Sequence, residues 1–308
     1  MMFSSWFFLA LLGAFLQAVG LALKKHALRE SGANSLVAAG IFLGAGIILF
    51  VTHFFQTGQW WFDGPVPLSF WGGAGITVLF ASLGVLFSYR ALDLGDLSAV
   101  TPYSVFGTLL LFLPAWILLH ETPKPAEILG ACVIIAGAFL LEGGFRKKRD
   151  VSRQDRADRA RNRKALGYFS LAMVFYSISP TGDKIAVTAT EPLFAAYVIH
   201  LGIALSFLCI LALRKKYRDL DIIRRAFSKR SFVFALILAA IVAGYANLST
   251  YFALSDGSVG GVMSIKRTMP FFAFFIGYAI FRERKNARRK LMGTIVMIAG
   301  ALVIGFSG

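Results

Sequence analysis

The chain has 308 residues, of which 57% are hydrophobic and only 16% are charged, and its mean hydropathy is +0.69. A soluble domain of this size needs more polar residues to cover its surface, so the composition indicates a polytopic membrane protein. The formal net charge is +16. Because the basic residues fall between apolar runs, where they orient membrane helices, we interpret this charge as membrane topology and expect no nucleic-acid partner.

Ten apolar runs, each about 20 residues long, are long enough to cross about 30 Å of hydrocarbon as helices. These predicted helices, numbered 1 to 10, cover residues 3–23, 35–56, 68–92, 97–119, 126–144, 165–187, 192–213, 231–254, 258–281 and 290–307. A basic segment, 145–164, separates the first five from the last five. The sequence therefore predicts an all-α membrane protein with one unit at 1–144, a cytoplasmic linker at 145–164 and a second unit at 165–308.

The loops between the predicted helices differ strongly in charge. Nearly all Lys and Arg residues lie in loops that follow odd-numbered helices, whereas the loops after even-numbered helices contain Lys124 and almost no other cation. By the positive-inside rule, the basic loops are cytoplasmic and both termini lie outside. We expect an integral protein of a bacterial-type cytoplasmic (inner) membrane.

The residues that usually bind metals or cofactors are scattered. Cys132 and Cys209 lie in separate apolar runs, and the four His residues show no metal-ligand spacing. An intramembrane enzyme would need a cluster of His, Asp or Glu near one membrane face. We therefore expect no cofactor, no metal and no enzymatic activity.

The two halves of the chain are related by an internal repeat. An offset of 162 residues aligns the following pairs: Tyr89 with Tyr251, Ala91 with Ala253, Leu92 with Leu254, Gly95 with Gly257 and Glu121 with Glu283. After one added residue, Gly130 meets Gly293 and the Ile-Ala-Gly-Ala segment at 135–138 meets that at 298–301. A repeat of five helices, an odd number, must enter the membrane from opposite sides in its two copies. Such inverted repeats are typical of secondary transporters with alternating access and a substrate site near the bilayer midplane.

This repeated pattern resembles the EamA repeats of the drug/metabolite transporter superfamily. The pattern is Tyr-x-Ala-Leu, a turn of small residues, an apolar helix ending in Glu, and a Gly-spaced helix ending in Ile-Ala-Gly-Ala. The resemblance implies a ten-helix fold whose central cavity is lined mainly by helices 1, 3, 4, 6, 8 and 9. It also implies that helices 5 and 10 are peripheral, where a homodimer contact is expected, and Gly130 and Gly137 with Gly293 and Gly300 suit close packing there.

Three cations inside predicted helices are candidates for substrate contact. Lys266 and Arg267 lie within helix 9, where a charge against lipid costs about 2.5–3.5 kcal/mol or more, so they must face protein or water. Lys184 lies in helix 6 just after Pro180, a residue that permits a kink. The pair in helix 9 also resembles the adjacent Lys-Arg that binds phosphate in the plastid sugar-phosphate branch of the superfamily. Arg suits bidentate capture of phosphate or carboxylate, and Lys supplies a compact charge.

An alternative is that these cations pair with internal acids such as Asp183 and Asp256. No acid is isolated at mid-membrane, so the sequence indicates no dedicated proton site, and exchange or facilitated flux fits better. Further polar side chains expected to line the cavity, or else to pack between helices, are Tyr176, Tyr103, Tyr245, Asn247 and Tyr251. Glu121 and Glu283 end helices 4 and 9, and with Pro180 we interpret them as gate or structural residues.

The leading hypothesis is a secondary transporter of a small organic solute that bears a phosphate or carboxylate. An exporter of amino acids or amphipathic drugs is the alternative within the same class. From another class, an intramembrane lipid-handling protein or a receptor stays open. The expected partners are a small-molecule solute and the lipid bilayer.

Overall fold

The computed structural model describes residues 4–31, 34–94, 106–142, 154–213, 220–279 and 287–306. Within these ranges every regular element is a helix. The helices are α1 (Ser5–Ser31), α2 (Asn34–Thr57), α3 (Leu68–Leu94), α4 (Phe106–Leu110), α5 (Phe112–Leu119), α6 (Pro125–Glu142), α7 (Gln154–Ala189), α8 (Pro192–Leu213), α9 (Leu220–Ser228), α10 (Arg230–Asp256), α11 (Val259–Lys266), α12 (Met269–Ala279) and α13 (Ala287–Gly305).

Six segments are long and apolar enough to cross a membrane. They are Ser5–Leu28, Ser35–Thr57, Leu68–Ser88, Pro192–Leu213, Arg230–Asp256 and Val259–Ile276. Two shorter apolar helices cover Pro125–Leu140 and Leu291–Gly305. The prediction of an all-α membrane protein is therefore confirmed, and the count of ten crossings stays a prediction.

The segment predicted as a linker is helical from Gln154 onward. α7 runs without interruption from Gln154 to Ala189 and carries Pro180 in its interior. Residues 154–164 are mostly Arg, Ala, Gln, Lys and Asp, without Gly or Pro, and most of these are good helix formers. The helix predicted at 165–187 therefore continues into the polar segment that precedes it. Residues 145–153 lie outside the described ranges.

The helices pack in pairs that join the first half of the chain to the second. The most extensive contacts join α3 to α7, α1 to α10, α6 to α13 and α2 to α8. Glycines permit the close approach of α3 and α7, because a Cβ at Gly73 would lie 2.7 Å from the Gly182 carbonyl oxygen. Nearby, the Thr77 hydroxyl donates a hydrogen bond of 3.1 Å to the Ser179 carbonyl, beside Pro180. This contact fixes the face of α7 that carries Asp183.

The glycines of α6 and α13 face each other within one chain. A Cβ at Gly130 would lie 2.7 Å from the Gly300 carbonyl oxygen, and a Cβ at Gly137 would lie 2.7 Å from that of Gly293. Small residues at such positions let two backbones approach closely in lipid. The close packing predicted for these glycines thus joins the two halves of one molecule. A homodimer contact through these helices would use their other faces, and it stays a prediction.

Candidate functional site

The apolar segment predicted as a single helix from 258 to 281 is divided into two helices at Arg267 and Thr268. α11 ends at Lys266, and α12 begins at Met269. Pro270 has no amide hydrogen and cannot donate to the Lys266 carbonyl, so the α-helical ladder stops there. The Arg267 and Thr268 amides instead donate to carbonyls three residues back, at 3.1 and 2.9 Å, which tightens the last turn. The sequence carried this signal in Pro270, and the single-helix prediction missed it.

This break places two adjacent cations within an otherwise apolar membrane segment. The Lys266 and Arg267 side chains are each partly exposed. Among the described residues, neither the Lys266 ammonium nor the Arg267 guanidinium has a hydrogen-bond acceptor. Lys266 interacts through charge with the Asp183 carboxylate on α7. A cation at membrane depth is normally paired with an acid or a backbone carbonyl, so two cations without acceptors mark a site that can take an anion.

Arg267 points toward α4 and the middle of α7. A Cβ at Gly107 would lie 3.6 Å from Arg267 Nη2 and 3.2 Å from Met173 Sδ. Tyr176 interacts electrostatically with the guanidinium, and its hydroxyl lies 3.4 Å from Ser88 Oγ. The Tyr176 ring fills the space left by a glycine, since a Cβ at Gly84 would lie 2.6 Å from its Cε1. The surroundings of Arg267 are thus a tyrosine and a thioether, which suit the apolar body of an organic anion.

Asp183 and Tyr251 form a buried polar contact beside Lys266. Tyr251 Oη donates a hydrogen bond of 2.8 Å to Asp183 Oδ1, and the two residues are 4% and 8% exposed. Thr77 on α3, whose hydroxyl donates to the Ser179 carbonyl, lies beside the carboxylate. Asp183 and Tyr176 are seven residues apart and lie on one face of α7. That face is directed toward the end of α11 that carries the two cations.

A second polar pair, of buried His200 and partly buried Asn247, lies further toward α8. His200 Nδ1 lies 2.6 Å from the Ala196 carbonyl oxygen, and His200 Nε2 lies 3.1 Å from Asn247 Nδ2. An imidazole that donates through Nδ1 and accepts at Nε2 is neutral and fully satisfied. The His200 and Tyr251 ring centroids are 6.5 Å apart. Asn247 therefore orients His200, which in turn packs beside the tyrosine that holds Asp183.

Lys184 is engaged by the backbone at the turn between α10 and α11. Its ammonium donates to the carbonyl oxygens of Leu254 and Gly257, the latter at 3.0 Å, with Ser255 at 3.5 Å. These carbonyls lie at the C-terminal end of α10, where a cation is favoured by the helix dipole and by unpaired acceptors. The contacts that Lys184 makes are thus those of a helix cap, and its predicted contact with substrate stays untested.

Two carboxylates accept hydrogen bonds from the other side of the same turn. Glu121 Oε2 accepts a hydrogen bond of 2.9 Å from the Val259 amide. Glu127 Oε1 accepts one of 2.6 Å from Ser258 Oγ, which itself accepts from the Gly261 amide at 3.0 Å. Negative charge at the first turn of a helix is stabilising. In the loop between α5 and α6, burial raises the pKa of Glu121, and the Val259 amide and Lys184 oppose that shift.

A family model, described as the EamA-like transporter family, matches this chain twice, at residues 4–142 and 163–306. The chain belongs to the EamA-like transporter family. The suspected relation to this family of the drug/metabolite transporter superfamily is thereby confirmed, and with it the description of the chain as an integral membrane protein of a transporter family. No curated protein matches the chain.

The fold of this EamA-like protein is also found in a solved crystal structure. The TM-score is 0.73 at 17% sequence identity, and the match covers 98% of this chain and 96% of that chain. At this identity the likeness concerns the fold alone. The two matches to the EamA model and the single fold over nearly the whole chain agree with one another.

In this EamA-like protein the predicted site residues fall into three groups. Lys266, Arg267, Tyr176 and Tyr251 lie around the end of α11, and Asn247 lies one step further out, beside His200. Tyr245 is 38% exposed, and its hydroxyl lies 3.1 Å from Thr52 Oγ1 on α2. Tyr103 and Glu283 lie outside the described residues.

Sequence reasoning missed two residues of this region. The sequence indicates Asp183 only as a neutralising neighbour of a cation, and it predicts no role for Glu127. Asp183 is the carboxylate that interacts through charge with Lys266, and Glu127 binds the N-cap of α11. These contacts of Asp183 and of Glu127 both join residues more than 60 positions apart in the chain. Of the two, only Glu127 had a local signal, as an acidic residue in the first turn of a helix.

Proposed function

We propose that this chain is a secondary transporter of a small organic anion and that Lys266 and Arg267 bind the anionic group. One observation carries the proposal: two adjacent cations lie in a membrane-spanning segment, partly exposed and without a hydrogen-bond acceptor in the described part of the chain. Such an arrangement is costly unless a ligand completes it. A carboxylate or a phosphate supplies the missing acceptors, and Arg binds either group through two parallel hydrogen bonds.

The rest of the substrate meets a different surface. Tyr176 and Met173 lie beside Arg267, and Met173 belongs to a small apolar cluster with Phe169 and Phe87. This composition favours an apolar or aromatic body attached to the anionic group. The same observation keeps a second candidate, an exporter of amino acids or amphipathic drugs, in which Lys266 and Arg267 bind a substrate carboxylate.

The proposed mechanism is alternating access between two inverted five-helix repeats, at 1–144 and 165–308, which together make ten crossings. Helix packing supports it. An inverted repeat turns the pair α1 and α10 into the pair α7 and α3, and these are the two most extensive contacts between helices. It also exchanges Gly130 with Gly293 and Gly137 with Gly300, so the two glycine contacts of α6 and α13 become equivalent. Rocking of one repeat against the other about a central site would expose the anion alternately to each side.

The proposed orientation follows from charge. Basic loops on the cytoplasmic side put both termini outside, in a bacterial-type cytoplasmic membrane. The turn between α10 and α11, with Lys184, Glu121 and Glu127, then lies at the outer side. Lys266 follows this turn by about eight residues, or about 12 Å of helix.

Binding and flux measurements test the proposed function. The purified protein is titrated with inorganic phosphate, benzoate and a panel of phosphorylated and carboxylated metabolites, and then reconstituted for flux of those that bind. We expect Lys266→Gln and Arg267→Gln each to weaken binding of the cognate anion at least tenfold, because a hydrogen bond to a charged group contributes about 1.5–3 kcal/mol. Arg224→Gln on α9, an exposed position, removes the same charge and should leave binding unchanged. Anion binding that survives both substitutions, or no binding by any anion, would refute the proposal.

A further inference from the structure

Asp183 is a buried carboxylate that the proposed transport function does not yet use. It is 8% exposed and lies in α7, in the part that the sequence predicts as a membrane helix, 165–187. Its hydrogen bond in the described residues comes from a neutral hydroxyl, that of Tyr251, and the Thr77 hydroxyl beside it donates to the Ser179 carbonyl. Lys266 interacts with it through charge, but no ion pair within 4.0 Å joins them in the described residues. A buried carboxylate without a contacting cation has no direct counter-charge for its ionised form, so its protonation is sensitive to the charge at Lys266.

We infer that Asp183 is a proton-binding site linked to the anion site, so that the chain binds a monoanion together with one proton. The inference rests on the proposed function. When an anion binds Lys266 and Arg267, it cancels the positive potential that keeps Asp183 ionised. The carboxylate, in a site of low dielectric, then takes up a proton. Protonation of Asp183 removes the negative charge that faces Lys266. Because linkage is reciprocal, this protonation tightens anion binding by the same factor by which the bound anion tightens proton binding.

Among the ionisable groups around the site, the Asp183 carboxylate is the one that changes protonation. Lys266 faces it from α11, with Arg267 the next residue along, while Tyr251 faces it from α10 and Thr77 from α3. Two further groups are close but are otherwise engaged. Lys184, next on α7, donates to the carbonyls of the α10–α11 turn, and His200 on α8 is hydrogen-bonded as a neutral imidazole. Hydroxyl groups do not ionise in the physiological range.

A charge count identifies the class of substrate. With Asp183 ionised, the empty site carries two positive charges and one negative charge. Binding of one monoanion and one proton leaves the same net charge, so the loaded site need not bury additional charge in the membrane. A dianion would need a second proton acceptor, and the residues described around the site provide no second carboxylate there. The structure therefore favours a monocarboxylate over a phosphate dianion, and symport with a proton over the exchange or facilitated flux expected from the sequence.

The first test needs no ligand. Infrared spectroscopy of the detergent-solubilised full chain follows the protonated carboxyl band between pH 4 and 9. Substitution Lys266→Gln removes the same positive charge that a bound anion cancels. We expect the midpoint of a band that is absent from Asp183→Asn to move upward by at least one pH unit in Lys266→Gln. An unchanged midpoint, or a band that persists in Asp183→Asn, would overturn the inference.

Three further variants keep the result interpretable. Arg224→Gln is the matched control for loss of a cation, and Asp256→Asn, an exposed acid, is the control for loss of a carboxyl; neither should move the midpoint. If Asp183→Asn does not fold, Tyr251→Phe replaces it, because loss of a donor to the carboxylate should also raise the midpoint, and no shift there would count against the inference.

A second arm adds benzoate, a monocarboxylate, and measures proton uptake in weakly buffered solution. We expect close to one proton taken up per benzoate bound, and none in Asp183→Asn. Benzoate binding without proton uptake would refute the coupling and leave the anion site standing. A shifted carboxyl midpoint without binding of any anion would refute the proposed transport site and leave the proton site standing.

Discussion

Glu121 and Val259 join the two halves of the chain at the turn before α11, where Glu121 Oε2 lies 2.9 Å from the Val259 amide nitrogen. On the same turn, Lys184 binds the carbonyls that end α10. A carboxylate thus meets the amide end of one helix and an ammonium meets the carbonyl end of another, and both agree with the helix dipoles. Because α11 has only eight residues, fixing its first turn also fixes Lys266 at its end.

Substitution of Lys184 by Met should destabilise this turn. The ammonium satisfies carbonyls that the helix leaves unpaired, so we expect a loss of about 1–2 kcal/mol, seen as a lower unfolding temperature in detergent. Lys164→Met, an exposed position on the same helix, is the control and should have no effect. An unchanged unfolding temperature, combined with lost anion binding, would mean that Lys184 contacts substrate and does not act mainly as a cap.

Glu121 makes the stability of the chain depend on pH. Burial raises its pKa above the ordinary value of 4.5, so the folded state binds the proton more tightly than the unfolded state. The resulting stabilisation is present below pH 4.5 and is lost as the pH rises through the raised value. Glu121→Gln stays neutral and can still accept from Val259. We therefore expect its unfolding temperature, relative to the original chain, to increase between pH 4 and 8. A relative decrease would show that pairing of the ionised carboxylate outweighs its burial.

The sequence predicted the architecture well where local physics decides it. The lengths of the apolar runs predicted the membrane segments. The repeated Gly spacing predicted close packing of these helices but not that α6 and α13 pack on each other within one chain. The sequence predicted less at the site, because the roles there depend on distant partners. The ammonium of Lys184 donates to carbonyls 70 to 73 residues away, contacts that no local pattern indicates, and its predicted contact with substrate stays a prediction. The contacts of Asp183 could not be predicted because they depend on how α7, α10 and α11 pack together.

Substitution of two neighbouring glycines of α3 distinguishes the effect of helix packing from the effect of helix propensity. A Cβ at Gly73 would lie 2.7 Å from the Gly182 carbonyl oxygen and 2.8 Å from the Ala186 amide nitrogen, whereas a Cβ at Gly72 would meet nothing within 4 Å. Gly73→Ala should force α3 and α7 apart and cost about 1–3 kcal/mol. Gly72→Ala should leave the unfolding temperature unchanged or slightly higher, since Ala is the better helix former. Equal effects of the two substitutions would contradict the close contact of α3 with α7.

The position of the Tyr176 ring beside Arg267 depends on the absence of a side chain at Gly84. A Cβ there would lie 2.6 Å from Cε1 of that ring, so Gly84→Ala should push the ring toward the Arg267 guanidinium. We expect anion binding to weaken about fivefold, which corresponds to about 1 kcal/mol. Gly75→Ala is the matched control on the same helix, because a Cβ at Gly75 would meet nothing within 4 Å. Isothermal titration of both variants with the cognate anion decides the matter, and wild-type affinity in Gly84→Ala would remove Tyr176 from the substrate site.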